Sequence, residues 1–231
     1  MPMLQRIVGS DGVTQLSVES KHSAARVVTR PMDVGTGGSY SIGLVSGVID
    51  AGLAGNSEVF QARWTSAAKL CIPRLIRVSA SVSTTAFIAG VPPQLELRPA
   101  TVWSAQGTGG AGVTFAADDS KKKITFATSA FAAGDMRMAT TTGLGAGTKT
   151  LGGQALATIL GNGGVATSST TLFPAGTVLW EKGQSDGFPL VLAQNEGFVI
   201  RSVEVPGTGT WKLAVQFEWD EVTPSEITGW A

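Results

Sequence analysis

The chain has 231 residues, and its 17 basic and 17 acidic side chains cancel to a net charge of zero. That length fits one large all-β domain, or one domain with an extended arm, and it can bury a core without disulfides. A neutral chain offers no electrostatic attraction for nucleic acid or for an anionic membrane, so we expect neither as a partner. Glycine accounts for 30 of the 231 residues, about 13%, against ~7% in an average protein. Together with 43% hydrophobic residues, this composition predicts many strands and tight turns rather than disorder.

A single cysteine and a single histidine limit the chemistry that the chain can perform. Cys71 has no partner for an internal disulfide, and its neighbours Leu70 and Ile72 predict a buried thiol. His22 alone cannot assemble a zinc site, and its polar surroundings predict an exposed side chain rather than the base of a Ser or Cys nucleophile. Residues 1–12 lack the apolar core of a signal peptide, and no apolar run reaches the ~18 residues of a membrane span. We therefore expect a soluble protein made in a reducing cytoplasm.

The N-terminal part of the chain differs from the rest in its weak patterning. Residues 1–35 are predicted to form an N-terminal arm or an edge hairpin, with short strands at Val13–Val18 and Arg26–Thr29. A glycine-rich break follows, and residues 36–231 are predicted to form a single β-sandwich domain. The first half of that domain contains four strand-like segments with alternating or β-branched residues: Tyr40–Ile49, Glu58–Trp64, Leu70–Thr85 and Gln94–Trp103.

The middle of the chain, residues 104–171, is rich in glycine, and we expect large loops there. Within it, the most loop-like stretches are Gly143–Gly153 and Gly161–Thr171, and Gln154–Leu160 is compatible with one or two turns of helix. Three short apolar runs are candidate strands: Val113–Ala116, Ile124–Ala127 and Met136–Thr142.

A regular series of strands is predicted after residue 171. Thr177–Trp180 is the first, and Pro189–Leu192 and Gly197–Val205 are predicted to form a hairpin around Ala193–Glu196. Trp211–Asp220 closes the domain with the clearest alternation in the chain. Its apolar face consists of Trp211, Leu213, Val215, Phe217 and Trp219.

Roughly nine to eleven strands with almost no helix favour an all-β fold, and the recurring turns favour a β-sandwich of the jelly-roll type. No period of 20–50 residues repeats, which argues against a propeller or solenoid.

Two segments resemble catalytic or binding motifs but fit them poorly. Thr142–Thr150 resembles a phosphate-binding loop, yet Thr148 separates Gly147 from Lys149, and no helix is predicted after it. Glu218 and Asp220 share a face of the last strand, with Glu221 beside them, and paired carboxylates perform the chemistry of glycosidases. Adjacent positions at a strand end are more typical of a solvated edge that discourages sheet-to-sheet pairing, and we interpret them so.

The remaining polar and aromatic candidates also have simpler interpretations. Lys121–Lys123 is the one basic run and reads as an exposed loop or a lysine-guarded strand edge. Asp118 and Asp119 lack the spacing of a calcium loop. Core or interface positions are favoured for the tryptophans, while three of them near strand ends or the terminus could instead be exposed and stack on sugars: Trp103, Trp180 and Trp230. We therefore predict no catalytic, cofactor-binding or metal-ligating residues.

Several segments resemble small structural proteins of the virions of tailed bacteriophages. The resemblance covers most of residues 38–221 and has no fixed catalytic set. Its segments are Gly38–Tyr40, Leu53–Gly55, Val59–Arg63, Met136–Thr141, Pro189–Arg201 and the strand from Thr210 to Trp219.

The resemblance implies a jelly-roll virion protein that acts as a head decoration or cement protein. Such a protein would be a homo-oligomer, with a trimer favoured, and would bind the major capsid protein or other virion proteins after assembly in the host cytoplasm. It would stabilise the capsid by buried contact area repeated over a lattice rather than by a reaction, so no enzymatic activity is expected. A tail, neck or spike component, with receptor or glycan binding, is the alternative.

Overall fold

The structure of the protein is a computed structural model. It describes residues 18–19, 24–25, 38–50, 53–85, 92–116, 119–122, 126–162, 171–182, 189–204 and 208–224.

Contacts within the chain divide it into two units, residues 1–34 and residues 35–231. In the first unit, β1 (Val18–Glu19) and β2 (Ala24–Ala25) pair as antiparallel strands. The predicted strand Arg26–Thr29, most of Val13–Val18, and His22 lie outside the described residues.

The second unit consists of two antiparallel sheets that pack together as a β-sandwich, as the sequence predicts. Its strands are β3 (Ser39–Val45), β4 (Ser57–Trp64), β5 (Leu70–Val82), β6 (Gln94–Ala105), β7 (Ala111–Gly112), β8 (Met136–Met138), β9 (Thr148–Leu151), β10 (Ala157–Leu160), β11 (Thr171–Glu181), β12 (Glu196–Glu204) and β13 (Trp211–Val222).

The seven-stranded sheet has the order β10-β6-β12-β4-β8-β7, and β9 pairs with β6 beside this path. The four-stranded sheet has the order β11-β5-β13-β3. Successive long strands mostly alternate between the two sheets, so neighbours in a sheet are distant in sequence. The last strand, β13, therefore lies between β5 and β3 and is hydrogen-bonded on both sides.

The predicted alternation of the last strand is confirmed, and its apolar face forms part of the core between the sheets. Phe217 and Trp219 are fully buried. The ring of Trp219 stacks on Tyr40 of β3, with centroids 5.4 Å apart, and Phe217 meets Phe198 of β12 edge-on at 5.1 Å. Phe131 closes the cluster at 5.3 Å from Trp219. Such aromatic pairs each add about 0.5–1.5 kcal/mol beyond their burial, so this cluster fixes how the two sheets pack.

Predictions of local structure are wrong at two segments, Pro189–Leu192 and Gln154–Leu160. Pro189–Leu192 is not a strand and forms no hairpin with β12, because Leu192 bridges Cys71 of β5 while β12 pairs with β4 and β6. The turn before β12 does form, with Asn195 at a φ of 63°. Gln154–Leu160 ends in strand β10 rather than helix, because Ala157 to Leu160 pair with the edge of β6.

The glycine-rich middle also contains more strand than predicted. Gly143–Gly153 includes β9, whose Leu151 pairs with Ala100 of β6. The strand expected at Val113–Ala116 is instead the short β7 just before it, and only Met136–Met138 of the third candidate is a strand. Part of the remaining candidate, Ile124–Ala127, lies outside the described residues.

Candidate functional site

The acidic end of the last strand is not a solvated edge, which corrects the interpretation from sequence. Asp220 is 3% exposed and Glu221 is fully buried. Both residues pair in register with β5, which covers that side of β13, and Asp220 also pairs with Ser39 of β3. A central position in the sheet explains the burial, because an edge-guard role requires a free side. Glu218 is the partly exposed member of the three and forms an ion pair with Lys122.

Glu221 is held by donors on every side. Its carboxylate accepts hydrogen bonds from Lys69 Nζ at 2.8 Å and from Ser129 Oγ at 2.6 Å. It also accepts bonds from the backbone N–H of Ala130 at 2.9 Å and from Trp219 Nε1 at 3.3 Å. A buried charge that is paired and fully hydrogen-bonded is tolerated in a core, so the arrangement holds the 129–130 segment against β13.

Two titratable side chains near Glu221 are less acidic than usual. Burial, followed by the Glu221 and Asp220 carboxylates, raises the pKa of the Cys71 thiol well above its ordinary value. Burial and then Glu221 also raise the pKa of Tyr40, whose hydroxyl donates to the carbonyl of Ala127 at 2.8 Å. Cys71 is free and buried. Because the thiolate is the reactive form of cysteine, we expect Cys71 to react slowly in the folded protein.

On its outer face, the seven-stranded sheet carries a buried ion network centred on Glu96. Arg98 donates to Glu96 Oε1 through Nε at 2.6 Å, and Arg201 donates to the same oxygen. Burial alone would raise the pKa of Glu96, but the bonds from Arg98 and Arg201 outweigh it and hold that pKa below its usual value. Arg98 also donates to the carbonyls of Gly152 and Gly153, each at 2.9 Å, so the network ties the turn after β9 to the sheet.

A second buried cluster on the same outer face joins β4 to β9. Lys149 Nζ lies 2.8 Å from Glu58 Oε2, and Gln61 Nε2 lies 2.5 Å from that oxygen. Gln61 Nε2 also donates to the carbonyl of Gly145 at 2.8 Å. The side chain of Lys149 is 2% exposed, and Nζ lies 4.6 Å from the centroid of the Trp103 ring. We call Glu58, Gln61 and Lys149 the amine–amide cluster.

An irregularity in β6 places Trp103 over this cluster. Val102 adopts a φ of 51°, which is unusual for a β-branched residue, and the β6–β9 register shifts between Thr101 and Ala105. Trp103 also packs with Val199 in a small apolar group on the outer face. A side chain at Gly197 would collide with the Trp103 ring and with the backbone of β4, so glycine is required there.

The outer face of the four-stranded sheet has a different character. Val45, Ala214 and Ser79 lie side by side across β3, β13 and β5. Gly43 and Ser81 lie in neighbouring rows, which also contain the longer polar side chains of Gln216, Arg77 and Lys212. We call Val45, Ala214, Ser79, Gly43 and Ser81 the small-residue face. Val45 is 65% exposed.

An open groove of about 330 Å³ runs over this face towards β11. Its lining includes four residues of the small-residue face, and Lys212 is the one charged side chain among the described lining residues. The four are Val45, Ser79, Ser81 and Ala214. Such a surface can pack against another protein with little cost of desolvation.

The other candidates from sequence do not form a common site within the described part of the chain. In the phosphate-loop-like segment, Lys149 is engaged by Glu58, and a strand rather than a helix follows Gly147. Asp119 accepts a bond from the N–H of Ala116, and Asp118 is outside the described residues. Lys121 and Lys122 lie beside edge strand β3, where Lys122 N–H donates to the Ser39 carbonyl at 3.0 Å.

The two described tryptophans among those considered for sugar stacking differ in their exposure. Trp103 is fully buried, Trp180 is half-buried, and Trp230 is outside the described residues. Within the described ranges, no group of three or more His, Cys, Asp or Glu side chains is arranged to hold a metal ion. The same ranges contain no helix with the length and apolar character needed to cross a membrane.

Sequence reasoning missed the amine–amide cluster. Alternation in β4 does place Gln61 on the polar side of the strand, which is a usable signal. The position of Lys149 gives no signal, because β9 was expected to be loop and its pairing with β6 is non-local. Comparisons of the chain with protein-family models, with curated proteins and with solved structures gave no match.

Proposed function

We propose that the protein is a non-enzymatic structural component of a bacteriophage virion, which decorates and cements the capsid by contacts with the major capsid protein or other virion proteins. The observation that carries this proposal is the contrast between the outer faces of the two sheets. On the seven-stranded sheet, Glu58 and Glu96 are paired with cations of the same chain, while the four-stranded sheet presents its small-residue face to the outside. We propose that this face meets the neighbouring virion protein.

Strand order supports the jelly-roll version of the sandwich. Four strands of each sheet can be traced in the pattern of two interlocked Greek keys: β11-β5-β13-β3 in one, and β10-β6-β12-β4 in the other. The first of these eight strands, β3, lies beside the last, β13. This topology agrees with the expectation from the resemblance to phage structural proteins, which rests on the sequence segments alone.

A homotrimer is the proposed state, because a cement protein gains from symmetry. Several weak contacts made together by one oligomer multiply into tight binding without new contacts in any single subunit. Size-exclusion chromatography with light scattering measures the state directly. A trimer is the expected result, and a strict monomer contradicts this part of the proposal.

Binding to empty phage shells tests the function. Shells that lack the protein are mixed with the purified full chain and sedimented, and the bound protein is counted per shell. We expect saturation at a copy number that matches the capsid lattice. No binding contradicts the cement role, and a low copy number confined to one vertex or the tail would instead support the tail, neck or spike alternative.

A further inference from the structure

The amine–amide cluster brings a primary amine, a carboxylate and a primary amide together in a site closed to water. The side chains of Lys149 and Glu58 are 2% and 7% exposed, and Gln61 is fully buried. One atom, Glu58 Oε2, accepts hydrogen bonds from both Lys149 Nζ and Gln61 Nε2, at 2.8 and 2.5 Å. Because both nitrogens bond to the same oxygen, Lys149 Nζ and Gln61 Nε2 lie no more than 5.3 Å apart, the sum of 2.8 and 2.5 Å, which brings the amine close to the amide group.

We propose that Lys149 and Gln61 join in an intramolecular isopeptide bond, with Glu58 as the proton carrier. The amide is held in the orientation that this reaction needs. Its NH2 group must face Glu58 and the carbonyl of Gly145, since both are acceptors, and this assigns Nε2 and Oε1. The leaving nitrogen is thereby placed on the carboxylate that can protonate it.

The reaction balances without an added reagent. Glu58 takes a proton from the Lys149 ammonium, and the neutral amine attacks Cδ of Gln61, which places negative charge on Oε1. Collapse of this intermediate breaks the Cδ–Nε2 bond while Glu58 returns its proton to Nε2. The second proton that Nζ loses leaves with the released nitrogen, so an ammonium ion departs and Glu58 is again a carboxylate.

Two features of the site favour this reaction over a static ion pair. Fixed neighbours react as if at an effective concentration of up to about 10⁵–10⁸ M, which replaces the encounter step. The ring of Trp103 covers Lys149, and exclusion of water removes the competing hydrolysis.

The bond would tie β4 to β9, which are not neighbours in the sheet. It would lock the segment that carries Gly145 onto the outer face, in addition to the hydrogen bonds already present. This covalent link goes beyond the proposed capsid role and stands or falls separately from it.

Intact mass spectrometry of the purified full chain tests the proposal. We expect the wild-type protein to be lighter than its sequence by one ammonia molecule. Lys149→Arg, which keeps the charge but cannot supply a neutral amine, and Glu58→Gln, which cannot carry the proton, should both have the full sequence mass. The matched control is Lys69→Arg, which alters the buried pair with Glu221 and should retain the loss of ammonia.

Tryptic peptides then locate the bond. We expect a branched peptide that contains Gln61 and Lys149, with no cleavage after Lys149. A wild-type mass equal to the sequence mass overturns the proposal, and so does a loss of ammonia without the branched peptide. A loss of water instead would place the link on Glu58 and overturn the role of Gln61. Because the wild-type mass decides by itself, failure of a variant to fold does not weaken the test.

Discussion

The two sheets are alike on their inner faces and differ on their outer ones. Inside, both contribute aromatic and aliphatic side chains to one core. On its outer face, the seven-stranded sheet carries two buried carboxylates, Glu58 and Glu96, each paired with a cationic side chain. The outer face of the four-stranded sheet carries the small-residue face. Burying a charge is costly unless it is paired, and on the first outer face both buried carboxylates already have cationic partners in the same chain. The second can be covered by a partner at little desolvation cost.

The largest effect is expected from the inner face, which both sheets share. Phe217→Ala should lower the free energy of unfolding by about 3–5 kcal/mol, because it opens a cavity between Phe198 and Trp219. Gln216→Ala, on the outer face of the same strand, is the matched control and should change it by less than about 1 kcal/mol. Urea unfolding followed by tryptophan fluorescence measures both. Equal costs would break the distinction between inner and outer faces.

Removing one carboxylate from each outer face should lower the free energy of unfolding by different amounts in the two sheets. Glu96→Gln should cost about 3 kcal/mol, because it leaves Arg98 and Arg201 facing each other without a counter-charge. Glu218→Gln, opposite the 37%-exposed Lys122 side chain, should cost no more than about 1 kcal/mol. The same urea series gives both values. Similar costs would show that the Glu96 network contributes no more to stability than an ion pair on the surface.

The difference between wild type and Glu96→Gln should depend on pH. The pKa of Glu96 is lowered on folding, because the bonds from Arg98 and Arg201 outweigh burial. A lowered carboxyl pKa contributes stability that is present above the ordinary value of 4.5 and is lost as pH falls through the folded-state pKa. Asp135, whose pKa burial raises, acts with the opposite sign but is present in both proteins. Unfolding series at several pH values should therefore show the gap closing in acid, and a constant gap would contradict the ion network.

The smallest effect on folding is expected from the small-residue face. Ala214→Glu should change the free energy of unfolding by less than about 1 kcal/mol, because the side chain lies over an open groove. Thermal unfolding by circular dichroism provides the check. A large loss of stability would mean that this face is packed within the chain and is not available to a partner.

The sandwich could be predicted from the sequence because the alternation that marks a strand is contained within a short segment of the chain. The alternation from Trp211 to Trp219 marks a half-buried strand without reference to any other segment, and the structure confirms it. Whether that strand is central or at an edge depends on pairing with β3 and β5, which are far away in the chain. For this reason the burial of Asp220 and Glu221 was missed.

The amine–amide cluster could not be predicted for the same reason. Lys149 follows a glycine-rich segment that carries no strand pattern, and its carboxylate partner Glu58 lies in a strand much earlier in the chain. Only the β6 edge, which accepts both β9 and β10, brings these residues together. Local patterns thus predict the faces of strands, whereas polar sites built across strands require the fold.

The most direct test of the proposed capsid contact is the binding of variants to shells that lack the protein. Ala214→Glu places a charge in the small-residue face, and Thr150→Glu places one on the exposed side of β9 as a control. Co-sedimentation should show that Ala214→Glu weakens binding by about tenfold or more, roughly 1.4 kcal/mol, while Thr150→Glu binds as the wild type does. Wild-type binding by Ala214→Glu would contradict the account.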